Sequence, residues 1–451
     1  MHTAITGDAD RHLESFCEHY AAPCRMTSQS ASDLYEILGK RINELRQAFF
    51  EETVKLIPAD DQLTTDGTYY NCEGKKISYA QIGVGKDGTY KRQISQLIVY
   101  STKTGLPILY MTNPGNMHDS QTLKGLRELC AYFNLANMNT LMTFDRGFLD
   151  TPEMIRYQKE GMHYLLCVRM NYGAVERVKE KHKRRLRSFS TYLTGEDLHA
   201  VCEQVVIRDG KDTAKPFVHL FYSPRWAACE AKTLMSKVEA FRHAWDNGRA
   251  DKLKSGIQAV KDFFKPLKEG APAEPDFEKL DQYIEDTFGY FALMSSNIND
   301  PETAAKLYGL RNSSEICFKT EKTLDRKTAR SHNETTFSGK DFCMFVATMF
   351  ASNILHRLGS WKNDESSDET AQPLNRNHDY MDLMKIVSGI RIERAPTNTA
   401  PWFVNAGGKA AALLKVLDLD TDWKDSLSFM NVLTLPPKRA KDAALNVGWI
   451  H

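Results

Sequence analysis

The stretch YGLRNSSEICFKTEK, residues 308–322, places four functional side chains at the spacing Y-x2-R-x3-E-x6-K. Each residue of an α-helix turns by about 100°, so Tyr308, Arg311, Glu315 and Lys322 would share one narrow face. The apolar positions of the same stretch fall on the opposite face, as in a helix that packs against a sheet. The pattern therefore predicts a helix that shows a substrate one carboxylate flanked by two cations and a phenol.

The alternative without a functional role is a surface helix with scattered charges, and a single Glu among Lys and Arg usually belongs to such a helix. However, this four-residue pattern resembles, at every fixed position, the Y-R-E-K signature of bacterial insertion-sequence DDE transposases, the family usually numbered four. The resemblance implies a ribonuclease H-like catalytic domain in which Glu315 is the third metal-binding carboxylate. It also implies two upstream aspartates, each within a strand or at the end of one.

Two aspartates meet that expectation. Asp66 lies in LTTDGTYY, residues 63–70, whose Thr and Tyr content favours a strand. Asp145 follows the short apolar run in NTLMTFDRG, residues 139–147, and so stands at the carboxyl end of a predicted strand, where open α/β sheets gather ligands. The resemblance assigns Asp66, Asp145 and Glu315 as the catalytic, metal-binding triad.

Each aspartate has an alternative interpretation. Asp145 could be an ordinary acid in a strand-to-loop turn. The rivals of Asp66 are Asp60 and Asp61, although both precede the strand pattern beside Pro58 and are typical of a loop.

The remaining pattern predicts an α/β fold with a ribonuclease H-like mixed sheet flanked by helices. The predicted order is β-β-β-α-β-α-β, in which strands over 76–84, 93–101 and 163–168 and helices over 119–133 and 151–160 join the strands of Asp66 and Asp145. A further strand over 288–295 would bring the chain back to the core before the Glu315 helix. The G-x-G-x-x-G match at 83–88 lacks a following helix, so we interpret it as a hairpin loop and not as a dinucleotide site.

A second stretch, NPGNMHDS at residues 113–120, is similar to the G-N-x-H-D-S segment of the same transposases. It predicts a turn that leads into a helix. His118 and Asp119 could contact metal or DNA, but capping is the commoner role of Asp at a helix start, so we leave both out of the catalytic set.

The composition is that of an ordinary globular protein. The 451 residues are 42% hydrophobic and 26% charged, and the formal net charge is +1, so the whole-molecule charge does not indicate nucleic acid. Nine scattered cysteines without a C-x-x-C pair favour neither disulfides nor zinc. With no secretion or membrane signal, we expect a cytoplasmic, nucleoid-associated protein and no membrane partner.

Positive charge is instead local. Seven Lys and Arg residues crowd residues 177–187, and among them Lys183, Arg184 and Arg185 are adjacent. Such a run is often only a solvated face, but its position after the predicted core favours a phosphate-binding role.

We expect five regions along the chain. They are an N-terminal helical region (1–58), the first part of the core (59–175), an insertion domain with the basic run (176–284), the second part of the core (285–361) and a C-terminal region (374–451). The long insertion would precede the last catalytic helix. The N-terminal region is predicted to pack or dimerise through an amphipathic helix over 32–57.

The resemblance also implies a chemistry. A DDE transposase uses Mg2+, with Mn2+ as a substitute, to cut DNA at the terminal inverted repeats and to join the freed 3′-hydroxyl to target DNA, usually as a homodimer in a synaptic complex. Tyr308, Arg311 and Lys322 would contact the DNA. Two alternatives stay open: a structure-selective ribonuclease H-like nuclease, and a non-catalytic DNA-binding relic of a transposase.

Overall fold

The computed structural model describes most of the chain between residues 26 and 363. The described residues are 26–84, 88–117, 119–133, 135, 140–145, 150–268, 270–311, 328–363, 382, 385–386, 391–393, 402–404 and 408–416. The positions predicted for His118, Glu315 and Lys322 lie outside them.

The strands are β1 (Gln62–Cys72), β2 (Gln81–Val84), β3 (Tyr90–Ser101), β4 (Leu106–Pro114), β5 (Leu141–Phe144), β6 (His163–Val168), β7 (Tyr192–Leu193), β8 (Leu198–Gln204), β9 (Ile207–Asp209), β10 (Asp212–Ala214), β11 (Phe217–Tyr222), β12 (Tyr290–Ser295), β13 (Thr328–Ala329), β14 (Arg391–Glu393) and β15 (Trp402–Val404).

The helices are α1 (Ser28–Lys40), α2 (Ile42–Val54), α3 (Asp119–Tyr132), α4 (Thr151–Lys159), α5 (Gly173–Leu186), α6 (Pro224–Asp246), α7 (Ser255–Gln258), α8 (Phe277–Thr287), α9 (Pro301–Gly309), α10 (Glu334–Asn363) and α11 (Lys409–Val416). Short 3-10 helices cover Phe189–Thr191, Ala250–Lys252 and Ala259–Phe263.

The chain forms two compact units. Unit 1 comprises the described parts of residues 1–140 and 311–451. In its sheet, β3 pairs antiparallel with β1 on one edge and with β2 and β4 on the other, and β13 joins β1 in parallel. Helices α2 and α10 pack against β4, where the rings of Phe50, Tyr110 and Phe345 lie with centroids 4.6–6.0 Å apart. Aromatic clusters of this kind contribute strongly to a core.

Unit 2 comprises the described parts of residues 141–310. Its strand order is β5-β6-β12-β11-β8-β7, with β5 and β6 parallel and the remaining pairs antiparallel. Helix α9 covers one face, where Ala304 packs with Leu165, Phe221 and Leu293. Helix α5 contacts β8 and β11, and a smaller core joins α6 to α8 through Phe241 and its neighbours.

The predicted α/β class, a mixed sheet with flanking helices, is confirmed. The strands predicted over 93–101, 163–168 and 288–295 are found within three residues of their predicted ends. The predicted domain limits stay a prediction. The two compact units divide the chain at 140/141 and 310/311. Within the described residues, no helix has both the length and the apolar character that crossing a bilayer requires.

Two predicted elements differ from the structure. The helix expected over 32–57 is two helices, because the chain breaks at Arg41, which has ψ near 23° and leaves the helical region. The strand expected over 76–84 begins only at Gln81, since Arg92 holds the preceding loop through the carbonyl oxygens of Lys75 and Ile77.

The loop prediction for the glycine-rich stretch is supported by the strand pairing. Strand β2 ends at Val84 and pairs antiparallel with β3, which begins at Tyr90. Gly88 in this connection has a φ of 75°, a value that favours glycine. The connection is therefore that of a hairpin.

Candidate active site

Asp66 occupies the middle of β1, as predicted. It pairs in register with Ile98 of β3 and is half-buried. Its Oδ1 accepts a 2.8 Å hydrogen bond from the backbone N–H of Gly67. Acidic residues are normally depleted in strands, so the position indicates a role for the carboxylate other than strand formation.

Asp60 and Asp61, the alternatives to Asp66, have different surroundings from it. Asp61 is 1% exposed, and its carboxylate accepts hydrogen bonds from the Ser101 hydroxyl and the Lys103 backbone N–H, which fixes the turn between β3 and β4. Asp60 is an exposed turn residue with a φ of 56°. Asp61 is therefore engaged in a structural contact, and Asp60 stands outside the strand.

Asp145 directly follows β5, also as predicted. Strand β5 pairs in parallel with β6 from Leu141 to Phe144, and Phe144 is fully buried, so the strand ends rigidly just before the carboxylate. The hydroxyl of Tyr308 donates a hydrogen bond to Asp145 Oδ1 at 3.4 Å. The contact joins the first residue of the signature to the second aspartate of the predicted triad.

Helix α9 positions Tyr308 by local sequence signals. The carboxylate of Asp300 caps the helix by accepting a 2.8 Å hydrogen bond from the Thr303 backbone N–H, and Pro301 occupies the first turn, where a missing N–H costs little. Hydrogen bonds from Thr303 hold the pKa of Asp300 below its usual value. Leu307 and Tyr308 then pack beside the buried Ala304 against the sheet.

The prediction of one continuous helix through residue 322 needs a correction. Helix α9 ends at Gly309, and the Leu310 backbone N–H bonds to the Leu307 carbonyl at 3.2 Å, three residues back. Glycine lowers helix propensity, and the tighter bond closes the last turn. Arg311 lies in the turn after the helix and is half-buried, so the helical-face argument does not apply to it.

The predicted metal site is not defined by the described residues. Among them, no group of three His, Cys, Asp or Glu side chains is placed to hold a metal ion, and Glu315 is outside the described part of the chain. The donor set itself is chemically suitable, because carboxylate oxygens are hard ligands that favour Mg2+ or Mn2+ over softer metals. The triad of Asp66, Asp145 and Glu315 stays a prediction.

The basic run forms helix α5 and divides between two faces. On the inward face Lys183 pairs with the Asp286 carboxylate, which raises the pKa of Lys183 and lowers that of Asp286. Lys179 donates to the Asp286 carbonyl, and its ammonium lies 4.7 Å from the centroid of the Tyr290 ring. Arg187, the residue after the helix, lies over the Tyr222 ring at 4.7 Å. These cations hold α5 to its neighbours.

The outward face presents the rest of the charge. Arg177, Arg184 and Arg185 are exposed, and their spacing of seven and eight residues places them within about 100° of arc around the helix. Lys181 lies between them and pairs with Glu203 at 2.9 Å. Thus, of the three residues of the basic run that were singled out for phosphate binding, Arg184 and Arg185 face solvent, whereas Lys183 is paired within the protein.

Two polar features of the structure were missed by the sequence analysis. Asp341 of α10 is 3% exposed, and its carboxylate accepts hydrogen bonds from Tyr70, Gln96 and Thr112 on three strands. A second feature is a cluster of cations, in which Lys75 and Lys76 lie beside Arg330. Neither has a local sequence signal, since each depends on contacts between distant parts of the chain.

Comparison with known proteins identifies the family. The family model described as the transposase DDE domain matches residues 60–350, which is more than half of the chain. The chain therefore belongs to the family of transposases with a DDE domain.

A solved structure shows a distant likeness. The cryo-electron microscopy structure of the piggyBac transposase synaptic complex with hairpin DNA aligns with a TM-score of 0.35 and 12% identity. The alignment covers 86% of this chain and 61% of that one. Comparison with curated protein sequences gives no match.

Proposed function

We propose that this protein is the cut-and-paste transposase of a bacterial insertion sequence with the Y-R-E-K signature. It would cut DNA at the terminal inverted repeats of its element and join the freed ends to target DNA. The observation that supports this most directly is the hydrogen bond from Tyr308 to Asp145, because it links the signature to a carboxylate that directly follows a strand, where the resemblance places the second aspartate.

In this proposal Asp66, Asp145 and Glu315 hold Mg2+ or Mn2+. The bound metal would supply charge stabilisation for the oxygens that attack and leave the phosphorus. Tyr308 orients the Asp145 carboxylate through its hydroxyl. Arg311 and Lys322 would hold phosphate groups near the cut, since cationic side chains make strong charge-assisted hydrogen bonds to phosphate oxygens.

Two successive exchanges at phosphorus account for the activity. Water first attacks the phosphodiester at the end of the element, so one P–O bond forms and another breaks, and a 3′-hydroxyl is released. That hydroxyl then attacks a phosphodiester of target DNA, so the new P–O bond joins the two DNAs and the 3′-oxygen of the target strand leaves as a hydroxyl. Both steps exchange one phosphorus–oxygen bond for another, so neither requires a covalent enzyme intermediate.

The proposed organisation follows the predicted regions. Residues 59–175 and 285–361 would form the catalytic core, and residues 176–284 would carry the basic part of helix α5, which contacts DNA beside the core. We propose that two copies act together in the synaptic complex, in the cytoplasm at the nucleoid. The N-terminal helices of residues 1–58 and the C-terminal region 374–451 would serve packing or end recognition.

The decisive experiment compares three substitutions, Asp66→Asn, Asp145→Asn and Glu315→Gln. Each keeps side-chain size and removes one negative charge, so each should reduce Mg2+-dependent cutting of inverted-repeat DNA by about 100-fold or more while DNA binding persists. Asp60→Asn is the matched control, because it removes an exposed negative charge six residues from Asp66. A variant that cuts at the wild-type rate removes its residue from the proposed site.

The same assay separates the proposed function from its alternatives. A transposase joins the cut end to a second DNA molecule, so a labelled end should appear in target DNA. Cutting without joined product would favour a structure-selective nuclease. Binding without metal-dependent cutting in the wild-type protein would favour a non-catalytic relic.

A further inference from the structure

A concave surface in unit 1 gathers cations from two distant parts of the chain. It has a volume of about 330 Å³ and is lined by Lys75, Lys76, Arg330, His332, Glu73 and Ser331. Lys75, Lys76, Arg330 and His332 are all exposed. We call this surface, defined by those four residues, the cation cleft.

The strand pairing of β1 and β13 builds the cleft. These strands run in parallel, the Glu73 backbone N–H continues the pairing by donating to the Ala329 carbonyl at 3.0 Å, and Lys76 forms a parallel bridge with Asn333. A Cβ atom at Gly74 would lie 2.5 Å from the Ser331 carbonyl oxygen, closer than real Cβ contacts. Glycine is therefore required for the two segments to approach.

The lysine-bearing side of the cleft is held in place from beneath. The Arg92 guanidinium donates to the carbonyls of Lys75 and Ile77, each at 3.2 Å, and to Ala80 at 3.0 Å. Glu334 accepts a 2.9 Å hydrogen bond from the Ser78 backbone N–H. Because these contacts fix the loop before any ligand arrives, a ligand would lose little free energy in ordering it.

The charge of the cleft suits an anion. Lys75, Lys76 and Arg330 contribute three positive charges and Glu73 one negative charge, so the lining carries a net charge of +2 without His332. Arg330 Nε contacts Glu73 at 3.2 Å, but their side chains are 74% and 63% exposed. An ion pair so exposed is weak, and it leaves the outer guanidinium nitrogens for another acceptor.

We propose that the cation cleft binds phosphates of the DNA backbone. Exposed Lys and Arg side chains around an open concavity fit an extended polyanion, and they provide affinity through counterion release instead of base recognition. The inference rests on the proposed function for the identity of the polyanion. In the sequence, Arg330 and His332 of the cleft closely follow residues 312–327, which contain Glu315 and Lys322.

The test uses the full chain and a random-sequence DNA duplex without metal. The variant Lys75→Gln/Lys76→Gln/Arg330→Gln should bind the duplex at least about 10-fold more weakly at low salt. The slope of log affinity against log salt should become shallower by up to about 2.7, since each of the three lost phosphate contacts contributes about 0.9. A thermal midpoint equal to that of the wild-type protein would show that the triple variant folds. If the triple variant does not fold, the single variant Lys75→Gln replaces it in the binding measurement.

The matched control is Arg225→Gln/Lys232→Gln/Lys237→Gln, which removes the same three charges from exposed positions of α6. An unchanged salt slope in the cleft variant, or an equal change in the control, would overturn the proposal. Because binding is measured without metal, its outcome is independent of catalysis. A failure of the proposed function would instead appear as wild-type protein that neither cuts nor joins inverted-repeat DNA.

Discussion

The hydroxyl of Tyr308 lies 3.4 Å from Oδ1 of Asp145 and donates a hydrogen bond to it. The two residues are 163 positions apart in the chain. They meet because Asp145 directly follows strand β5, and Tyr308 occupies the last turn of the helix that covers the neighbouring strands. A tyrosine that reaches such a carboxylate can hold one of its oxygens in a fixed direction.

We predict that Tyr308→Phe retains the fold and slows metal-dependent nicking about 5-fold. The substitution keeps the ring packing and removes one hydrogen bond, whose net contribution is about 1 kcal/mol, and that energy corresponds to this factor in rate. Initial rates on inverted-repeat DNA would measure the effect. Tyr192→Phe is the control, because it removes a 2.8 Å tyrosine-to-Asp197 hydrogen bond on an exposed surface. An equal loss in both variants would contradict the proposed role of Tyr308.

The two faces of α5 should respond differently to neutralisation. Arg177→Gln/Arg184→Gln/Arg185→Gln removes exposed charges and should make the salt slope of DNA binding shallower by up to about 2.7, or 0.9 for each lost phosphate contact. Lys183→Gln removes the partner of Asp286, so it should lower the thermal midpoint and leave the slope nearly unchanged. Fluorescence anisotropy across a salt series, with parallel melting curves, would measure both effects. A shallower slope in Lys183→Gln would contradict this, because it would mean that Lys183 leaves Asp286 and contacts a DNA phosphate.

The sequence was informative where a residue's role depends on its near neighbours. The Thr- and Tyr-rich pattern around Asp66 predicted a strand, and the apolar run before Asp145 predicted its position at a strand end. Periodicity failed at the end of α9, because the spacing of Tyr308 and Arg311 contains no information about the closing bond at Leu310.

Contacts between distant segments could not be predicted. The basic run gave no sign that Lys183 would pair with Asp286, since α5 and α8 meet only after the intervening strands are in place. The cation cleft likewise requires the parallel pairing of Asn71 with Thr328. Strand partners of this kind depend on the whole fold and not on local composition.

A buried histidine should make stability depend on pH. His219 in β11 is fully buried, its Nε2 lies 3.1 Å from the Ser295 hydroxyl, and burial lowers its pKa from 6.5 to about 4. Between these values the unfolded chain binds more protons than the folded chain, so stability falls as the pH drops below 6.5. The loss should reach about 1 kcal/mol near pH 5.5.

His219→Gln tests this assignment because glutamine can donate to Ser295 and does not titrate. Urea denaturation of the wild-type protein and the variant at pH 7.5 and pH 5.5 should show a smaller pH-dependent loss in the variant. The pH 7.5 measurement separates any packing defect from the titration. The same pH-dependent loss in both proteins would assign the effect to other groups.

The Asp341 carboxylate should be a major source of stability in unit 1. Its Oδ1 accepts from Tyr70 at 3.2 Å and from Gln96 at 3.3 Å, and its Oδ2 accepts from Thr112 at 2.8 Å, so one residue of α10 binds three strands. Asp341→Leu would leave these three donors without their acceptor in a buried site, at a cost of about 3 kcal/mol or more. Asp341→Asn keeps one oxygen, and the Thr112 hydroxyl can rotate to accept from the new amide, so its cost should be about 1 kcal/mol.

Urea denaturation of both variants would measure these costs. A double-mutant cycle with Thr112→Val would measure the coupling free energy between Asp341 and Thr112, which should be at least about 0.5 kcal/mol. Equal midpoints for Asp341→Leu and Asp341→Asn would mean that packing, and not the hydrogen bonds, holds α10 to the sheet.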